Sequence, residues 1–113
     1  MDLAIFAAMV SELEGKWRRL GISFEFRPPT DEERRRDKWA AQVGLESTDT
    51  LGELIVWTSG EAEMTVVYRS DGATRAVHYD LTEVTLGACL DDLTELLLHR
   101  PSSDLLHYAP RSH

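Results

Sequence analysis

The chain has 113 residues, 42% of them hydrophobic and 28% charged. That is the composition of one soluble domain, large enough to bury roughly two-thirds of its unfolded surface and to fold without a metal or a disulfide. Its one cysteine, Cys89, excludes an internal disulfide and a cysteine-rich zinc site, and a net charge of −8 argues against nucleic acid or an anionic membrane as a partner.

Leu3, Phe6, Val10, Leu13, Trp17 and Leu20 recur at helical spacing, which predicts an amphipathic helix over residues 2–20, closed by Gly21. Ile22, Phe24 and Phe26 alternate as a short strand that Pro28-Pro29 ends. Thr30 to Lys38 holds eight charges in nine residues and reads as an exposed, mobile loop. Trp39, Ala41, Val43 and Leu45 give a second strand by alternation. Leu51 to Trp57 is nearly continuous in apolar residues and reads as a central third strand. Ser59-Gly60 is a turn, Ala62 to Tyr68 a fourth strand and Ser70-Asp71-Gly72 a hairpin signal. Val77, Tyr79 and Leu81 mark a fifth strand, with His78 and Asp80 on its other face. Leu86, Cys89, Leu90, Leu93, Leu96 and Leu97 predict a second helix, capped by Thr82 or Thr85 and followed by Pro101.

Strands joined by tight turns make an antiparallel meander, and two amphipathic helices need an apolar surface. The expected fold is therefore an α+β two-layer sandwich: about five strands with the N-terminal and C-terminal helices on one face. Residues 1–100 form the single expected domain. Residues 101–113, with Leu105-Leu106 and Tyr108, form a tail that docks as a short turn or frays. Met1 to Val10 lacks a secretory signal's basic start and cleavage site, and no apolar run approaches the roughly 20 residues that span a bilayer. The expectation is a cytoplasmic protein.

The charge is unevenly placed. Residues 1–36 hold seven Lys/Arg and seven Asp/Glu, whereas residues 37–113 hold five and thirteen, a balance of −8. The meander and second helix thus carry the whole excess. Such a surface favours a basic protein partner, although acidity also serves solubility alone.

Signs of catalysis are few. The scattered glycines form no phosphate loop, and none of the histidines at 78, 99, 107 and 113 shows metal-ligand spacing. Cys89 sits on the apolar stripe of helix 2 beside Asp91 and Asp92, a setting that raises a thiol's pKa and quiets it. Ser59 lies in Thr-Ser-Gly-Glu, a turn and not a nucleophile elbow. Arg34-Arg35-Arg36 is flanked by acids, which cancel the basic field that RNA binding needs. Glu61 and Glu63 share one face of a strand, as a solvated face or as a contact surface for a cationic partner. In the third strand Leu54 and Val56 share one face and Ile55 and Trp57 the other. If the first pair meets the helices, Ile55 and Trp57 lie on the open face beside Glu53, as an aromatic anchor ringed by acids; the opposite assignment buries them.

The string Gly52-Glu-Leu-Ile-Val-Trp-Thr-Ser-Gly-Glu-Ala-Glu-Met64, then His78-Tyr-Asp-Leu81 and Leu90-Asp-Asp-Leu93, resembles the TriTu family of bacterial immunity proteins. Those carry a similar G-x-L-x-V-W-x-S-G-E-A-E strand pair, an H-x-x-L element and a C-terminal helix. The likeness covers residues 50–97, while the charged loop and the Ser/His-rich tail depart from it. It implies a protein that protects its cell by blocking an ADP-ribosyltransferase toxin, delivered by a secretion system, that modifies elongation factor Tu. The expected function is thus toxin neutralisation without catalysis, cofactor or metal, by a monomer or weak dimer. The expected contact residues are Glu53, Trp57, Ser59, Glu61 and Glu63, with Trp39 beside the charged loop. A secretion chaperone or adaptor for an effector is the second reading. A small enzyme using His78, Tyr79 and Asp80 is the third, and it needs these three in one pocket.

Overall fold

The computed structural model describes residues 1–100, and the sequence signals in the tail lie outside them. Helix α1 (Leu3–Arg19) is followed by strands β1 (Ser23–Arg27), β2 (Ala40–Glu46), β3 (Thr50–Trp57), β4 (Glu61–Tyr68) and β5 (Thr74–Asp80), then by helix α2 (Glu83–Leu98). The strands pair in chain order as one antiparallel meander. Helix α1 packs on β1 and β2, and α2 packs on β3 and β4. This is the expected α+β architecture.

The helix ends follow local chemistry. The Ala4 amide donates to the Asp2 carboxylate at 2.9 Å, capping α1. At its other end Ile22 N–H reaches the Trp17 carbonyl at 2.8 Å and Gly21 N–H the Arg18 carbonyl at 3.2 Å, with Gly21 at φ 76°. Those bonds form a Schellman motif, which satisfies two orphan carbonyls and buries Ile22 near Trp17. Helix α2 opens on a capping box that uses both candidate threonines. The Thr85 amide donates to Thr82 Oγ1 at 3.3 Å, and the Thr82 amide to Thr85 Oγ1 at 2.9 Å.

Burial alternates along every long strand. Val43, Leu45, Leu54, Val56, Met64 and Val66 face the helices, meeting Phe6, Val10 and Trp17 of α1 and the leucines of α2, and Val77 of β5 is buried on the same side. A fully buried leucine or valine contributes about 1.5–3 kcal/mol relative to exposure. Phe26 packs edge-to-face on Phe6 and Phe24 tilts against Trp17, both at 5.3 Å, which fastens β1 beneath α1. Trp17 Nε1 donates to Thr94 Oγ1 at 2.9 Å, and Thr94 Oγ1 donates to the Leu90 carbonyl at 2.9 Å, so one buried chain of hydrogen bonds ties the two helices.

Two expectations are refined. The segment at 30–38 is exposed, as its charge requires, but it contains a 3₁₀ turn at Glu33–Arg35. Thr30 and Glu33 close that turn reciprocally, amide to side chain, at 3.0 and 3.1 Å. Strand β5 starts at Thr74, three residues before the first apolar position that marked it, because pairing resumes directly after the Gly72 turn. That extension puts Arg75 on the helix side, 5% exposed, with its Nε unpaired among the described residues.

Candidate partner-binding face

With Leu54 and Val56 fully buried against the helices, Leu51, Glu53, Ile55 and Trp57 turn to the side of the sheet that is uncovered among the described residues. Pairing then dictates what stands beside them. One row reads Glu25, Gly44, Glu53, Thr65 and Ala76, and the next Arg27, Gln42, Ile55, Glu63 and His78. In the following row Ala40 opposes Trp57 and Glu61 opposes Asp80. Ile55 and Trp57 are half-buried in this face, and Leu51 near one end is 41% exposed.

The acids here are only partly matched. Glu25 pairs with Arg27 at 3.5 Å, Glu61 with Lys38 at 2.7 Å, and Glu46 with Arg69. Glu53 and Glu63 form no ion pair among the described residues. The Lys38 ammonium beside Glu61, helped by the Ser59 hydroxyl, holds the Glu61 carboxyl below its usual range. Lys38 Nζ also lies 5.7 Å from the centre of the Trp57 ring, within cation–π reach. Nearer β1 the sheet surface dips over Gly44, whose missing side chain leaves open space. A shallow concavity of about 540 Å³ results, bordered by Glu25, Arg27, Glu46, Leu51, Glu53 and Thr65.

The structure brings Glu53, Trp57, Glu61 and Glu63 onto one face. Ser59 sits in the turn between β3 and β4, with its hydroxyl 3.1 Å from Glu61 Oε1. Trp39 does not join them. It has the parity of Ala41, Val43 and Leu45, so it lies on the helix side, lining a cleft of about 320 Å³ with Leu3, Phe26, Pro29 and Arg34. It therefore does not share this face with the other expected contact residues. Ile55 stands on the face beside Trp57, as strand parity placed it once Leu54 and Val56 meet the helices, whereas Lys38 and Gly44 are residues that the sequence reading did not assign to the face. Gly44 was reachable from strand parity. Lys38 meets Trp57 only through the β2–β3 pairing.

The triad His78, Tyr79 and Asp80 does not converge. His78 and Asp80 are exposed on the open face, 3.9 Å apart, while Tyr79 turns to the helix side. Burial and the nearby Asp92 push the Cys89 thiol up to about 12. Among the described residues, no three His, Cys, Asp or Glu side chains gather as metal ligands would, and no helix is long and apolar enough to cross a membrane.

The architecture is that of a two-layer α+β sandwich with one sheet face uncovered among the described residues. No family model matches the chain, and neither any curated protein nor any solved structure does.

Proposed function

We propose that this protein is an immunity protein that binds a basic bacterial toxin through the uncovered sheet face and neutralises it. The observation that carries the reading is the composition of that face: Ile55 and Trp57 half-buried at its middle, with Glu53 and Glu63 beside them and no cation of the chain paired to either among the described residues. Interface anchors are commonly aromatic and sit in a patch whose charges answer those of the partner. The likeness to the TriTu family supplies the toxin class, an ADP-ribosyltransferase acting on elongation factor Tu.

Co-expression with the toxin encoded beside this gene tests the proposal. Rescue of growth, with a stable complex between this protein and the isolated toxin domain, is the expected result. Capture of the effector's unfolded N-terminal region instead of its folded toxin domain contradicts the proposal and supports a secretion chaperone. Failure to rescue, with no complex, contradicts both.

A further inference from the structure

We infer that the corner formed by Trp57, Ser59 and Glu61 is a receptor for a lysine or arginine side chain of the partner, and that Lys38 occupies it in the free protein as a displaceable stand-in. The inference rests on the reading of the uncovered face as the partner-binding surface.

Two groups meet one ammonium, and a third holds the carboxylate that binds it. Lys38 Nζ lies 2.7 Å from Glu61 Oε1, the Ser59 hydroxyl is 3.1 Å from that same oxygen, and the Trp57 ring centre is 5.7 Å from Nζ. Backbone pairing builds the corner before any side chain is considered. The Thr58 amide donates to the Trp39 carbonyl at 2.9 Å, and Ala40 stands opposite Trp57. Ala40 presents only a methyl group opposite the indole.

The corner holds more negative charge than Lys38 neutralises. Asp80 opposes Glu61 across β4 and β5, and Glu63 lies one row away on the same face. The Lys38 and Glu61 side chains are each 44% exposed, so their pair is open to solvent and cheaply exchanged. A partner cation brought in by its own chain can take the same carboxylate and ring face, and Lys38 then moves off with the charged segment that precedes β2. Because the occupant of the free state is itself a lysine, the corner selects a cation of that kind and sets a threshold against weaker ones.

A short lysine homopeptide is the probe, followed by the Trp57 indole N–H signal in NMR spectra and assigned with Trp57→Phe. Lys38→Gln is expected to raise peptide affinity about three- to tenfold, the worth of one exposed ion pair and one exposed cation–π contact. Arg36→Gln makes the same charge change on the same segment without touching the corner, and is expected to change affinity less than about twofold. Glu61→Gln is expected to weaken binding. An unchanged or lowered affinity in Lys38→Gln, or an equal gain in Arg36→Gln, overturns the inference. If in addition Glu53→Lys and Glu63→Lys weaken the peptide, the face reading survives alone. A peptide that perturbs no residue of the uncovered face overturns both.

Discussion

Gly52 shows how much one missing side chain decides. A Cβ there would meet Leu97 Cδ1 at 2.7 Å and Leu93 Cδ1 at 2.9 Å, so the bare backbone is what lets α2 lie close on β3. Both leucines are buried and have little room to yield. In Gly52→Ala the overpacking costs about 1–3 kcal/mol, against about 0.5–1 kcal/mol regained from reduced backbone freedom. Urea unfolding is expected to show a net loss of stability, larger still in Gly52→Val. Cys89 gives a second residue-scale expectation. Its thiol is pushed up to about 12 in the fold from an ordinary 9.0. The folded pKa is raised, so stability is held below pH 9 and falls as pH rises from there towards 12, where the unfolded thiol ionises and the folded one does not. Thiol labelling at neutral pH is expected to proceed only at the rate of unfolding. These details were partly hidden in the sequence. That Cys89 packs could be read from the leucines around it, whereas Gly52 looked like one scattered glycine among seven, because its neighbours are more than forty positions away.

Among the elements, legibility followed locality. Both helices and all five strands could be read from periods of 3.6 and 2, since each pattern reports only which side of its own segment meets the core. The face of β3 needed one further fact, the side on which the helices lie, and burial of Leu54 and Val56 supplies it. The side of the sheet on which Trp39 lies follows from its parity with Ala41 and Val43, which the alternation already showed. The 3₁₀ turn was legible too, because Thr30 and Glu33 have the Thr-x-x-Glu spacing of a capping box. The high charge of the segment masked it. Lys38 on Trp57 was not legible, since strand register alone creates that contact. At the start of α2 the Thr82 and Thr85 bonds satisfy two end groups. Thr82→Ala is expected to lower stability by about 1 kcal/mol in thermal or urea unfolding, with the β-sheet spectrum unchanged.

At the scale of the whole molecule, the fold separates two tasks. One face of the sheet is spent on the core, and the other displays five of the thirteen acids that the amino-acid count places after residue 36, Glu46, Glu53, Glu61, Glu63 and Asp80. An exposed charge surface of this kind acts through approach more than through grip. Association with a basic toxin is therefore expected to slow by about tenfold or more as salt rises from low to physiological, with dissociation changing much less; stopped-flow mixing reads both rates. Charge reversal on the face itself is the most direct test that this surface is the one used. Calorimetric titration of the isolated toxin domain with wild-type protein and with the Glu53→Lys/Glu63→Lys double variant is expected to show tight binding in the first case and at least a tenfold loss in the second, with both proteins equally folded. Equal affinity of the folded double variant would contradict the assignment of the partner to this face.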